Sequence, residues 1–103
     1  MKEVTYEDWE SEVILSDQTV LVYFWATWCQ PCKMQGLVLT QLQEALPGLK
    51  IVKVNADEEE ALIEAHNVTS IPTLILYKEG ETAWELTGAK PLQVLKDKVL
   101  PYV

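Results

Sequence analysis

The sequence predicts an α/β chain: a central mixed sheet of five strands flanked by four helices. Three observations lead there. The run Val20-Leu21-Val22-Tyr23-Phe24-Trp25 is unbroken, apolar and rich in strand formers, as a central strand covered on both faces requires. Helical and strand-like segments alternate along most of the chain, which places crossover helices on the faces of a sheet. Near the end, Thr73-Leu74-Ile75-Leu76-Tyr77 and Thr82 to Thr87 flank Glu79-Gly80, a hairpin signal that adds antiparallel pairing.

The elements follow in the order βαβαβαββα. Thr5 is placed to cap a first helix from Tyr6 to about Leu15, with Asp8 in its first turn. After the strand Val20–Trp25 comes a cysteine segment, then a helix to about Leu46. On that helix Met34, Leu37, Val38, Leu42, Ala45 and Leu46 recur at helical spacing and predict the inward face. Pro47-Gly48 ends it. Ile51 to Asn55 is the next strand. Asp57 is placed to cap a short helix, with Glu60 at the capping-box position and Glu58-Glu59-Glu60 as a solvated first turn. His66 falls near the end of that helix, where an imidazole can bond the last carbonyls. Pro91 opens a final helix that stops before Pro101. No repeat or linker interrupts the 103 residues, so residues 1–103 are expected to form one domain.

Charge narrows the function. Sixteen acidic residues against eight Lys and Arg give a net charge of −8, which leaves no basic patch to neutralise nucleic-acid phosphates or to bind an anionic membrane. The first eight residues include the acidic Glu3, Glu7 and Asp8 where a signal peptide needs an apolar run, and no apolar stretch approaches the roughly 18–20 residues of a membrane span. A cytoplasmic protein, monomeric at this size, is expected.

The chemistry centres on Cys29 and Cys32, the only cysteines, in Trp25-Ala26-Thr27-Trp28-Cys29-Gln30-Pro31-Cys32-Lys33. The segment sits where a buried strand gives way to a helix. Unpaired N–H groups and the positive dipole end of a helix start stabilise an anion, and the thiolate is the form that attacks a disulfide. Cys29, at the exposed edge of that start, is expected to be reactive and accessible. Cys32, one turn further in, can reach it from the same face. Pro31 costs no helical hydrogen bond in a first turn. The pair can therefore cycle through a mixed disulfide to a Cys29–Cys32 disulfide. A structural zinc site needs four protein ligands, and this chain has two cysteines and one histidine, His66. Two other readings stay open on the residues alone: a binding module with incidental cysteines, and a metal cluster shared between two chains.

Three ordered blocks resemble the thioredoxin family, and the resemblance covers essentially the whole chain. They are Phe24 to Met34 around the cysteines, Lys53-Val54-Asn55-Ala56-Asp57, and Ser70-Ile71-Pro72-Thr73; Gly80 and Gly88 also fall at the family's spacing. The resemblance implies a thioredoxin fold and protein-disulfide reduction, with Cys29 as nucleophile and Cys32 as resolving cysteine. It implies a cis Pro72 beside the dithiol, with the Ile71 backbone free to pair with an extended substrate, and Trp28 and Gly88 on the docking surface. It also implies disulfide-containing protein substrates and a flavin-containing, NADPH-dependent thioredoxin reductase as donor. No cofactor is expected in this chain beyond the redox-active disulfide, since it lacks a phosphate-binding glycine loop.

Three positions depart from the family. Tyr23 stands where the family carries a buried aspartate thought to take the proton of the resolving cysteine. A tyrosine, ordinarily titrating near pH 10, cannot replace a carboxylate base at neutral pH, so Cys32 is expected to lose its proton to water or another carboxylate. Lys53, the usual neighbour of that aspartate, is left to point to water or to hydrogen-bond Tyr23. Gln30 replaces the usual glycine between the cysteines, a position that tunes the potential. Leu37, after Gly36, takes the place of a kinking proline.

Overall fold

The computed structural model describes residues 1–103. Strands β1 (Lys2–Glu3), β2 (Val20–Trp25), β3 (Lys50–Asn55), β4 (Thr73–Lys78) and β5 (Glu81–Thr87) form one sheet in the order β1-β3-β2-β4-β5. β1 and β2 run parallel to β3, while β4 runs antiparallel to both β2 and β5. The mixed five-stranded sheet of the sequence reading is therefore present. β2 is central, and its period of two divides the core. Leu21 and Tyr23 face α1 (Gln30–Ala45) and α3 (Leu92–Val99), with Leu39, Leu42, Leu74, Leu95 and Val99. Val20, Val22 and Phe24 face the other side, with Val13, Val52, Val54 and Leu62 of α2 (Glu60–Ala65). The β4–β5 turn uses Glu79 and Gly80, both at positive φ, as a tight hairpin requires.

Three local expectations change. The first helical segment is not a helix from Tyr6 but a turn followed by a π-helix, Glu10–Ile14, whose Leu15 N–H bonds the Glu10 carbonyl. Thr5 caps no N–H there. The Asp8 carboxylate folds back instead, accepting from the Thr5 N–H at 2.6 Å and its hydroxyl at 3.1 Å. Tyr6 and Leu15 stay exposed, and Val13 with Trp9 and Ile14 makes the contact with the core.

On α1 the inward face is Cys32, Gln35, Leu39 and Leu42, with Val38 and Leu46 at its edge. Met34, Leu37 and Ala45 are exposed, Met34 and Leu37 by about two thirds. The apolar spacing alone allowed a stripe turned away from Cys32; docking of Cys32 and Gln35 selects the other side. α2 starts at Glu60, and Asp57 does not cap it, because its carboxylate is taken by a distant partner. Glu59, in the predicted solvated turn, accepts the Tyr6 N–H. His66 does close α2 as expected, with Nδ1 2.7 Å from the Leu62 carbonyl. The last helix opens after Pro91. No helix is long and apolar enough to cross a membrane.

Candidate active site

β2 delivers the chain to the top of the sheet, and α1 starts at once. Cys29 is the N-cap of α1, in extended backbone, and Pro31 lies in the first turn. Cys29 and Cys32 are joined by a disulfide, with Cα atoms 5.2 Å apart. The Cys32 N–H points at the Cys29 sulfur, 3.2 Å away. A backbone donor and a helix N-terminus thus converge on one sulfur of the pair, the arrangement that favours charge on Cys29 when the bond is open. Contrary to the expected exposed edge, Cys29 is only 4% exposed in this oxidised form. Gln30, the next residue, is exposed.

The Ile71–Pro72 peptide is cis. The Ile71 carbonyl oxygen lies 3.9 Å from the Cys29 sulfur. Thr73 Oγ1 donates to the Ser70 carbonyl across this turn, and the Gly88 N–H donates to the Pro72 carbonyl at 2.8 Å. Gly88 has φ +87, a backbone suited to glycine, and Lys90 Nζ donates to the Thr87 carbonyl beside it. Cys29, Cys32, Pro31, Ile71, Pro72 and Gly88 are therefore gathered at one end of the sheet. Trp28, 68% exposed, borders them and lines a cavity of about 410 Å³ with Ala56, Ile63, Val68, Thr69, Ser70 and Ile71.

Beneath the pair, Tyr23 is buried and its hydroxyl donates to the Cys32 carbonyl. Burial pushes its pKa up to about 12. Lys53 takes neither of its expected positions. Its Nζ lies 4.6 Å from the centroid of the Trp25 ring, two residues along β2 from Tyr23. The Tyr23 hydroxyl is already committed, and the ring offers Lys53 a cation–π site instead.

The parts that two residues play at the site escaped the sequence reading. Asp57 accepts the Trp28 indole N–H at 2.9 Å and so fixes the wall of the cavity. Gln35, 1% exposed, accepts the Lys90 N–H at 2.7 Å and donates to the Lys90 carbonyl at 3.1 Å, tying α1 to the loop after Gly88. Only the second left a sequence signal, a glutamine one turn from Cys32 on the same face. No three His, Cys, Asp or Glu side chains converge as metal ligands.

A redox-active cysteine pair at a helix start, on a mixed sheet of this order, defines a thiol–disulfide exchange protein. Comparisons with known proteins give the family. The thioredoxin family model matches residues 1–100. The chain is 40% identical over 104 aligned positions to a thioredoxin of Listeria monocytogenes, covering 100% of this chain and 99% of that one. It is 37% identical over 98 positions to a thioredoxin of Chlorobaculum thiosulfatiphilum, covering 94% and 91%. It is 34% identical over 104 positions to the chloroplastic thioredoxin M-type of Spinacia oleracea, covering 100% of this chain and 58% of that one. The chain belongs to the thioredoxin family. It is a thiol–disulfide oxidoreductase acting on protein disulfides through the Cys29–Cys32 pair.

Proposed function

We propose that residues 1–103 act as one monomeric domain that reduces protein disulfides in the cytoplasm, with Cys29 as nucleophile and Cys32 as resolving cysteine. The observation that carries this assignment of roles is the Cys32 N–H aimed at the Cys29 sulfur at the start of α1. In the first step the Cys29 thiolate attacks one substrate sulfur, and the other leaves as a thiolate and takes up a proton. In the second step Cys32 loses its proton to water, attacks the Cys29 sulfur and expels the remaining substrate sulfur. Two electrons have then passed to the substrate, and the pair is a disulfide.

Substrate docking follows from the surroundings of Cys29. An extended substrate would pair with the Ile71 backbone next to the cis Pro72 and lie against Trp28 and Gly88. Pro31 and Gln30 shape the helix start; Tyr23 and Lys53 support it from the sheet. A NADPH-dependent thioredoxin reductase would return the pair to the dithiol, completing an electron-transport cycle. Insulin reduction by dithiothreitol tests the reading: the wild type should be faster than the reagent alone, and Cys29→Ser should not. A reduction potential near the about −270 mV of thioredoxin supports reduction, whereas a value near about −120 mV would make the protein an oxidant.

A further inference from the structure

We propose that Tyr23 is the positioning residue for the second exchange step: its hydroxyl ties the Cys32 carbonyl to the central strand and keeps the Cys32 sulfur aimed at Cys29 while the bond between them is open. The proposal rests on the two-step reading above.

In the dithiol and the mixed disulfide no covalent bond joins residues 29 and 32, so non-covalent contacts alone must hold the turn. Two backbone bonds at the helix start are long: 3.2 Å from the Cys29 N–H to the Ala26 carbonyl and 3.4 Å from the Lys33 N–H to the Cys29 carbonyl. Pro31 has no N–H to add. The tie from Tyr23 comes from outside this weakly bonded segment. Tyr23 is 3% exposed and sits mid-strand in β2, paired on one side opposite Lys53 and on the other opposite Leu74. An anchor there is held by strand pairing on both sides. The Cys32 carbonyl has a second lone pair for the helical N–H four residues on, so the tie does not compete with the helix. That residue is Gly36, where even an added Cβ would lie 3.7 Å from the Tyr23 oxygen; α1 passes directly over the hydroxyl.

The hydroxyl stays a donor through the pH range in which thiols titrate, because burial holds it protonated. It therefore places Cys32 and takes no proton from it. In the step it serves, the Cys32 thiolate forms a bond to the Cys29 sulfur, the bond from Cys29 to the substrate sulfur breaks, and that sulfur leaves with the electron pair.

Tyr23→Phe removes only the oxygen. With dithiobis(nitrobenzoate) as the substrate disulfide, each reduced protein releases one coloured thiolate when Cys29 attacks and a second when Cys32 attacks, so stopped flow resolves the steps. The second release should slow by about five- to tenfold, the size carried by one hydrogen bond, and the first should be unchanged. Equal slowing of both steps, or no slowing, would overturn the proposal. Amide exchange at Lys33 and Gln35 supplies a second readout. It should accelerate in reduced Tyr23→Phe and stay at the wild-type rate in the oxidised variant, which also shows that the variant folds. The same change in both redox states, or in neither, would overturn it as well. A wild type releasing only one thiolate would instead overturn the two-step reading, and the proposal with it.

Discussion

Cys29 and Cys32 are three residues apart and both almost fully buried, yet their polar partners differ. Around Cys29 the partners are the Ile71 carbonyl, on the loop before β4, and the Cys32 N–H, in the first turn of α1, with Trp28 next to it in the chain. Both cysteines belong to the core cluster with Leu39 and Leu74, but only Cys32 is tied to the sheet beneath, through the bond from the Tyr23 hydroxyl to its carbonyl. One cysteine meets the loop of the cis proline, and the other is tied through its carbonyl to a strand paired on both sides. The difference teaches why a two-residue spacer makes an ordered reaction: charge is favoured where the substrate arrives, and the second sulfur is held where only the first can meet it.

The contrast breaks most sharply at the outer sulfur. Cys29→Ser should reduce turnover with protein disulfides to the reagent blank, as insulin turbidity with dithiothreitol would report. Next in size, Trp28→Ala removes the cavity wall and leaves the Asp57 carboxylate without its indole partner. Steady-state kinetics should show KM raised by about tenfold with kcat changed far less, the cost of one aromatic contact in docking. An effect confined to kcat would move Trp28 from docking to chemistry.

Inner-side changes should act on stability first. Gln35→Leu leaves both backbone groups of Lys90 unpaired beside a buried side chain, and should cost about 1–3 kcal/mol in chemical denaturation. Alkaline pH probes the same side. Tyr23 titrates near 12 when folded and near 10 when unfolded, so the unfolded chain gives up this proton first. The stability Tyr23 contributes is full below about pH 10 and is lost as pH rises through about 12. Burial raises Tyr77 as well and adds to the same loss. Denaturation midpoints measured across that range should fall, and fall less in Tyr23→Phe. The smallest effect is at Lys53. Lys53→Met removes a half-buried cation–π contact of about 0.5–1 kcal/mol and should slow insulin reduction only slightly.

What the sequence made legible was local or periodic. The apolar run of β2 allows one place in the sheet, the Glu79-Gly80 turn specifies its hairpin, and a Pro in the first turn after Cys29 marks a helix start. What it hid depends on partners far along the chain. Asp57 has good capping chemistry, but Trp28, 29 residues earlier, claims its carboxylate. Gln35 finds Lys90 across 55 residues. Met34 and Leu37 fit an apolar stripe by spacing, yet the seat of Cys32 on the sheet turns them outward. Tyr23 was visible as a departure from its family, whereas its bond to the Cys32 carbonyl was not, since nothing in a single sequence states how far α1 lies above β2.

The ordered roles of the two sulfurs can be tested by trapping. Cys32→Ser should accumulate a mixed disulfide between Cys29 and a protein substrate, stable on non-reducing electrophoresis, and Cys29→Ser should form none. Equal trapping by both variants, or trapping by Cys29→Ser alone, would contradict the account.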